Sequence, residues 1–261
     1  MAFPDVPRVI YKKTPSEDVI SQVRFPAILR IDTEPPAAFQ ERIRGNYPFY
    51  KNPPALKLPE GMPAEFAAML APFGVQTAHH FTSRDKQWTV TLTRDFLALT
   101  CRPYDRWENF RDHLNGPIAA LRDIYAPAFF TRIGLRYRDV IRRSTLGLKN
   151  VEWTDLLQPW VAGPFGSSAV AADVEHSAHD LLIRLSDGSS HVRVQHGTNF
   201  DEAAAETVYV IDADFFNDQQ TEPSHVLERL DFLNKRAHRL FSWCIKPPLH
   251  NALEPTPTPD S

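Results

Sequence analysis

Arg132, Arg136 and Arg138 are the residues whose type and spacing best suit chemistry in this chain. They lie in the run FFTRIGLRYRDVI, where Ile133, Leu135 and Tyr137 alternate with Arg132, Gly134, Arg136 and Arg138. Side chains along a strand point alternately to its two faces, so the arginines share one face and the apolar residues the other. A guanidinium is a planar fork of donors that matches a carboxylate or a phosphate. Gly134 falls on the arginine face, where its missing side chain would let a ligand or a backbone approach closely. The row therefore offers a site for an anionic small molecule. The plainer alternative is a solvated strand face whose arginines pair across to Asp95, Asp212 or Asp214.

Other chemistries find less support. There are ten histidines. His176 and His179 lie near Asp173 and Asp180, and His79, His80, His191 and His196 fall on predicted strands. None of these shows a recognised ligand spacing such as H-E-x-x-H, and no metal is expected. Cys101 and Cys244 lack the basic or glycine-rich surroundings that lower a thiol pKa, so they read as buried thiols. The stretch Gly163–Ser168 is a loop of small residues and not a nucleophile elbow, and no Walker A or G-x-G-x-x-G run is present. No catalytic residue and no cofactor is assigned. Trp88, Trp107, Trp153, Trp160 and Trp243 fall mostly on faces that should be buried.

Composition narrows the classes. The chain has 261 residues, 43% of them hydrophobic and 23% charged, enough for a sizeable core. Its 29 Lys and Arg against 32 Asp and Glu leave a net charge of −3, without the basic surplus of a general nucleic-acid binder. The start MAFPDVPRVIYKK has no basic region followed by an apolar one, and no run approaches the roughly 18 apolar residues of a membrane span. The expectation is a soluble cytoplasmic protein with no membrane partner.

The elements that must hold these residues are written in the periodicity. Val19–Ile31 reads as a first strand, with Pro26 arguing for an edge, bulge or break. A short helix follows over AAFQERIRGNY, then a loop rich in proline, then a helical turn or two at Ala64–Leu70. Gln76–Arg102 is a meander in which Trp88, Val90 and Leu92 alternate with threonines. Trp107, Phe110, Leu114, Ile118, Leu121 and Tyr125 make one stripe of a long helix, with Asp105 as its N-cap. The order then repeats. Ile133–Ile141 is a strand, Trp153–Trp160 a short helix, and His179–Leu185 with His191–His196 a hairpin about Asp187-Gly188. Thr207–Phe216 is a strand, and Val226–Cys244 a second long helix ended by Pro247.

This pattern predicts an α+β fold: a mainly antiparallel sheet of about eight strands, built from two pseudo-repeated βαβββα units, with the two long helices on one face. Two facing four-stranded sheets are the alternative. The expected organisation is one globular domain over residues 1–246, with repeats at about 19–125 and 129–244. A flexible proline-rich tail is expected over 247–261.

The runs YKKTPSEDVISQVRFP, WTVTLTRDFLALTCRPYDRWENF and FFTRIGLRYRDVI resemble a sporadically distributed family of bacterial and archaeal proteins of this size. The resemblance covers all but the C-terminal tail. The family has no established function, so it implies no catalytic residue. Its patchy distribution implies mobile loci such as phage-defence or toxin–antitoxin islands. The function expected from these readings is a non-enzymatic binding protein, an adaptor, inhibitor or sensor, whose partner is a protein encoded nearby. The alternative is an enzyme or sensor that binds a nucleotide or other phosphorylated small molecule through Arg132, Arg136 and Arg138.

Overall fold

Pro26 decides where the first long strand stops. The computed structural model describes residues 3, 5–52 and 77–258. A short strand β1 (Val9–Tyr11) leads to β2 (Ser16–Arg24). The expected strand at Val19–Ile31 thus starts earlier and ends before Pro26, which cannot donate to a ladder. Ile31 lies instead in the helical turn α1 (Arg30–Thr33), followed by α2 (Ala37–Ile43). The expected turns at Ala64–Leu70 fall outside the described residues. Strand β3 (Phe49–Lys51) precedes β4 (His79–Thr82), β5 (Trp88–Leu92) and β6 (Phe96–Cys101). Helix α3 (Trp107–Tyr125) then runs unbroken through Gly116 and Pro117. Asp105 is not its N-cap. Arg106 holds that position, and the Asp105 carboxylate accepts from the Arg106 amide and the Asn109 side chain.

After α3 come β7 (Arg132–Ile141) and two helical turns, α4 (Trp153–Leu156) and α5 (Pro159–Ala162). The single helix expected over Trp153–Trp160 is split because Gln158 precedes a proline and is held extended. Strands β8 (Ala178–Arg184), β9 (Ser190–Asp201) and β10 (Glu206–Asn217) follow, then helix α6 (Val226–Cys244). The chain ends in α7 (Pro247–Ala252) and β11 (Pro255–Pro257).

Among the described residues nine strands form one antiparallel sheet in the order β3-β4-β5-β6-β2-β7-β10-β9-β8. The strand beyond the expected eight is β3, which lies in the stretch read as a proline-rich loop. Register sorts the side chains between two faces. Val19 stands between Cys101 and Tyr137, Leu135 stands between Ser21 and Phe215, and Phe215 faces Val192. All of these but Ser21 belong to a single buried apolar cluster that also holds the inner stripes of α3 and α6. Trp88 stacks on His113 of α3 at 3.9 Å, and the Tyr137 hydroxyl donates to Asn234 of α6 at 2.9 Å. The helices are tied to each other as well, since Trp107 and Arg111 both donate to Asp231.

The flexible tail expected over 247–261 is folded as far as Thr258. Leu249 and Leu253 are 0% and 1% exposed, and β11 pairs antiparallel with β1, Ile10 facing Thr256. Pro247 and Pro248 open α7, where a missing N–H costs no hydrogen bond. Two leucines anchor a segment whose prolines alone suggested fraying.

Candidate functional site

The arginine row is built as the alternation requires, and the structure supplies its partners. On the face opposite the helices, Arg132 donates to Asp214 at 2.7 Å and Arg136 to Asp212 at 2.6 Å, both carboxylates coming from β10. Arg138 donates to Glu17 of β2 at 2.8 Å. Gly134 does leave room on this face, but Arg132 fills it. A Cβ there would lie 2.4 Å from Nη1 of the Arg132 guanidinium, which also covers the Phe216 ring.

These pairs extend sideways. Arg102 forks onto Asp18, Arg142 bridges Glu17 and Asp201, Arg24 meets Asp95, and Arg193 forks onto Asp180. Each of these arginines has a carboxylate, so charge nearly cancels among them and little field remains to draw in a phosphate. Among the described residues no helix covers this face.

A bulge sets the crossing of β2 and β7. Ser16 faces Asp139, yet Asp18 faces Arg138, so Glu17 has no residue opposite it. The extra residue lets Glu17 and Asp18 both point to the arginine face while Ser16 turns toward the helices. There the Ser16 hydroxyl donates to Asp139 at 2.5 Å. Burial pushes the Asp139 carboxyl up to about 7, against the opposing pull of Ser16.

Ser16 and Asp139 line a cavity of about 90 Å³ between the sheet and α6, walled by the β1 segment, Tyr104, Tyr137 and Asn234. One water needs roughly 10–15 Å³ of such space, so several fit, whereas metabolite pockets measure about 300 Å³ or more. Sequence reasoning missed this site. Asp139 sits in the run that drew attention to the arginines, and its place among inward-facing Tyr137 and Ile141 was the available signal.

The histidines divide. His191 stacks on Phe216 at the arginine face, and His196 lies inward, stacked on His179 at 4.8 Å. Tyr209 donates to the Val161 carbonyl at 2.6 Å, so its 2.8 Å contact with His196 has the ring Nδ1–H as donor. Burial and the neighbouring His179 lower the His196 pKa to about 4, and its Nε2 is buried without a hydrogen-bond partner. Ser177 lies 2.9 Å from His179 Nε2. No carboxylate completes a catalytic triad around this pair among the described residues. Nor does any group of three or more His, Cys, Asp or Glu side chains converge there as a metal site. Cys101 and Cys244 are buried free thiols whose pKa burial raises. No described helix is long and apolar enough to cross a membrane.

No protein-family model matches the chain, and no curated protein matches it in sequence.

Proposed function

We propose that this chain is a non-enzymatic binding protein that docks a protein partner on the helix-free face of its sheet, around Arg132, Arg136 and Arg138. The observation that carries this reading is the pairing of those arginines. Each is held by a carboxylate from the next strand, which makes a flat array of fixed, nearly neutralised forks. Such an array suits a partner surface with charges of both signs, and arginine is enriched at such interfaces. A site for a nucleotide or other phosphorylated small molecule would instead gather unpaired arginines in a concave pocket. The two buried free cysteines support a cytoplasmic setting, and the family resemblance supports a partner encoded nearby.

The same reading takes the chain as two pseudo-equivalent halves, each contributing one long helix. Its support is the pairing order, which runs β4-β5-β6-β2 on one side and β8-β9-β10-β7 on the other, meeting at β2 and β7.

The test is recovery of a stoichiometric partner at native expression level, compared with a charge-swapped protein carrying Arg136→Asp and Asp212→Arg. The swap keeps the internal ion pair and reverses its polarity on the surface. Loss of the partner from the swapped, folded protein supports the interface. Equal recovery by both proteins removes it. A rise in melting temperature with nucleotides that Arg136→Ala abolishes would favour the anion reading instead.

A further inference from the structure

Strand β8 closes one end of the nine-stranded sheet and, among the described residues, is paired on one side only. Its sequence, AHDLLIR, carries two charged side chains of opposite sign, Asp180 and Arg184, but no lysine, no proline and no register shift against β9. Leu182 is 67% exposed and Leu181 37%. Among the described residues no backbone group outside β9 bonds to Ala178–Arg184.

The hydrogen-bond phase of this edge can be worked out. The Thr198 amide donates to the Ser177 carbonyl at 2.9 Å, and the Leu185 amide to the Ser190 carbonyl at 2.8 Å. Antiparallel pairs alternate along a strand, so the odd-numbered residues of β8 bond inward to β9. The N–H and C=O groups of Asp180, Leu182 and Arg184 therefore point out into the open edge. Those three side chains also share the arginine face of the sheet. Asp180 is held by Arg193 of the neighbouring strand, while Arg184 has no ion-pair partner among the described residues.

We propose that two copies of this chain associate edge to edge through β8, antiparallel about a two-fold axis at Leu182, so that the sheet of one copy continues into the other. In that register Leu182 meets Leu182, and Asp180 of each copy meets the unpaired Arg184 of its partner. On the helix side, Leu181 meets Ile183. Hydrogen-bonding phase alone also allows a register one step away on either side, but one sets Asp180 against Leu182 and Arg184 against Ala178, and the other sets Leu182 against Arg184 and Asp180 against Ser186. Charge and apolar matching select the register at Leu182. A two-fold contact needs a self-complementary patch, and β8 is one. The proposal holds whatever docks on the sheet face, because it uses only the edge.

The test is sedimentation of the full chain together with cysteine cross-linking. Residues opposite each other in a hydrogen-bonded antiparallel pair have Cα atoms about 5.5 Å apart, within disulfide reach. Leu182→Cys should oxidise to a covalent dimer under mild conditions. Arg184→Cys should not, since its two copies would lie roughly 14 Å apart at about 3.4 Å per residue. Arg184→Asp should weaken the dimer at least tenfold, because it sets two carboxylates against each other at both ends of the pair. A wild-type chain that stays monomeric at about 100 µM, where an affinity in the μM range would show a dimer, would overturn the proposal. So would cross-linking of Arg184→Cys as readily as Leu182→Cys.

Discussion

Ser16 stands opposite Asp139 and donates a hydrogen bond to it at 2.5 Å only because Glu17 is bulged out of the β2–β7 ladder. In unbroken register Glu17 would face Asp139 across the covered side of the sheet, and two carboxylates would share one buried site. The bulge exchanges that repulsion for a hydroxyl donor and sends Glu17 to Arg138 and Arg142.

The Asp139 carboxyl gives stability a definite pH dependence. Its folded-state pKa, near 7, exceeds the ordinary value of 3.8, so the folded chain binds the proton more tightly than the unfolded one. Stability from this group is full below pH 4 and is lost as pH rises toward 7. Asp139→Asn keeps an acceptor for Ser16 and removes the titration. Urea midpoints at pH 5 and pH 8 should show the variant gaining on the wild type at the higher pH. An advantage of the same size at both pH values would show that Asp139 does not titrate in this range.

Truncation after Leu253 removes β11 and its pairing with β1. The β1 segment walls the cavity and reaches α6 through the Pro7 carbonyl, which accepts from His238 at 3.1 Å. The melting temperature should fall by several degrees, since ~1 kcal/mol shifts a chain of this size by roughly 2–4 °C. An unchanged melt would mean that the β1–β11 ribbon adds nothing to the fold.

Leu240 is 1% exposed on the inner stripe of α6 and also lines the cavity. Leu240→Ala should cost about 2–5 kcal/mol in chemical denaturation. The low end of that range is expected, because space already adjoins the site. A midpoint that barely moves at constant slope would show that the helix stripe carries little packing energy.

Gly197 is where β9 meets the backbone ahead of β8. A Cβ there would lie 1.9 Å from the Ser177 carbonyl oxygen, a backbone atom that cannot swing aside. Gly197→Ala should destabilise by roughly 1–3 kcal/mol, as overpacking does, and speed amide exchange at Thr198. Wild-type exchange at Thr198 in the variant would argue against the close approach.

The local pattern of the chain was enough to place the elements that carry their own periodicity. Helices α3 and α6 occupy the spans their apolar stripes outline, and β5 and β6 follow the alternation of Trp88–Leu92 and Phe96–Cys101. The same alternation put Arg132, Arg136 and Arg138 on one face, because a strand fixes side-chain direction residue by residue. It offered Asp95, Asp212 or Asp214 as what those arginines meet; Asp214 and Asp212 do hold Arg132 and Arg136, whereas Arg138 meets Glu17 and Asp95 meets Arg24. Asp212, Asp214 and Glu17 lie far away in sequence, and only the strand order brings β10 and β2 to either side of β7.

Tertiary structure likewise settled the proline-rich end, where Leu249 and Leu253 find burial that composition cannot reveal. It also decided the fate of Asp139. A carboxylate in a strand is ordinary until a bulge on the neighbouring strand, more than a hundred residues earlier, selects the side chain placed against it. Periodicity is a property of neighbours along the chain, whereas partner, burial and pKa belong to neighbours in space.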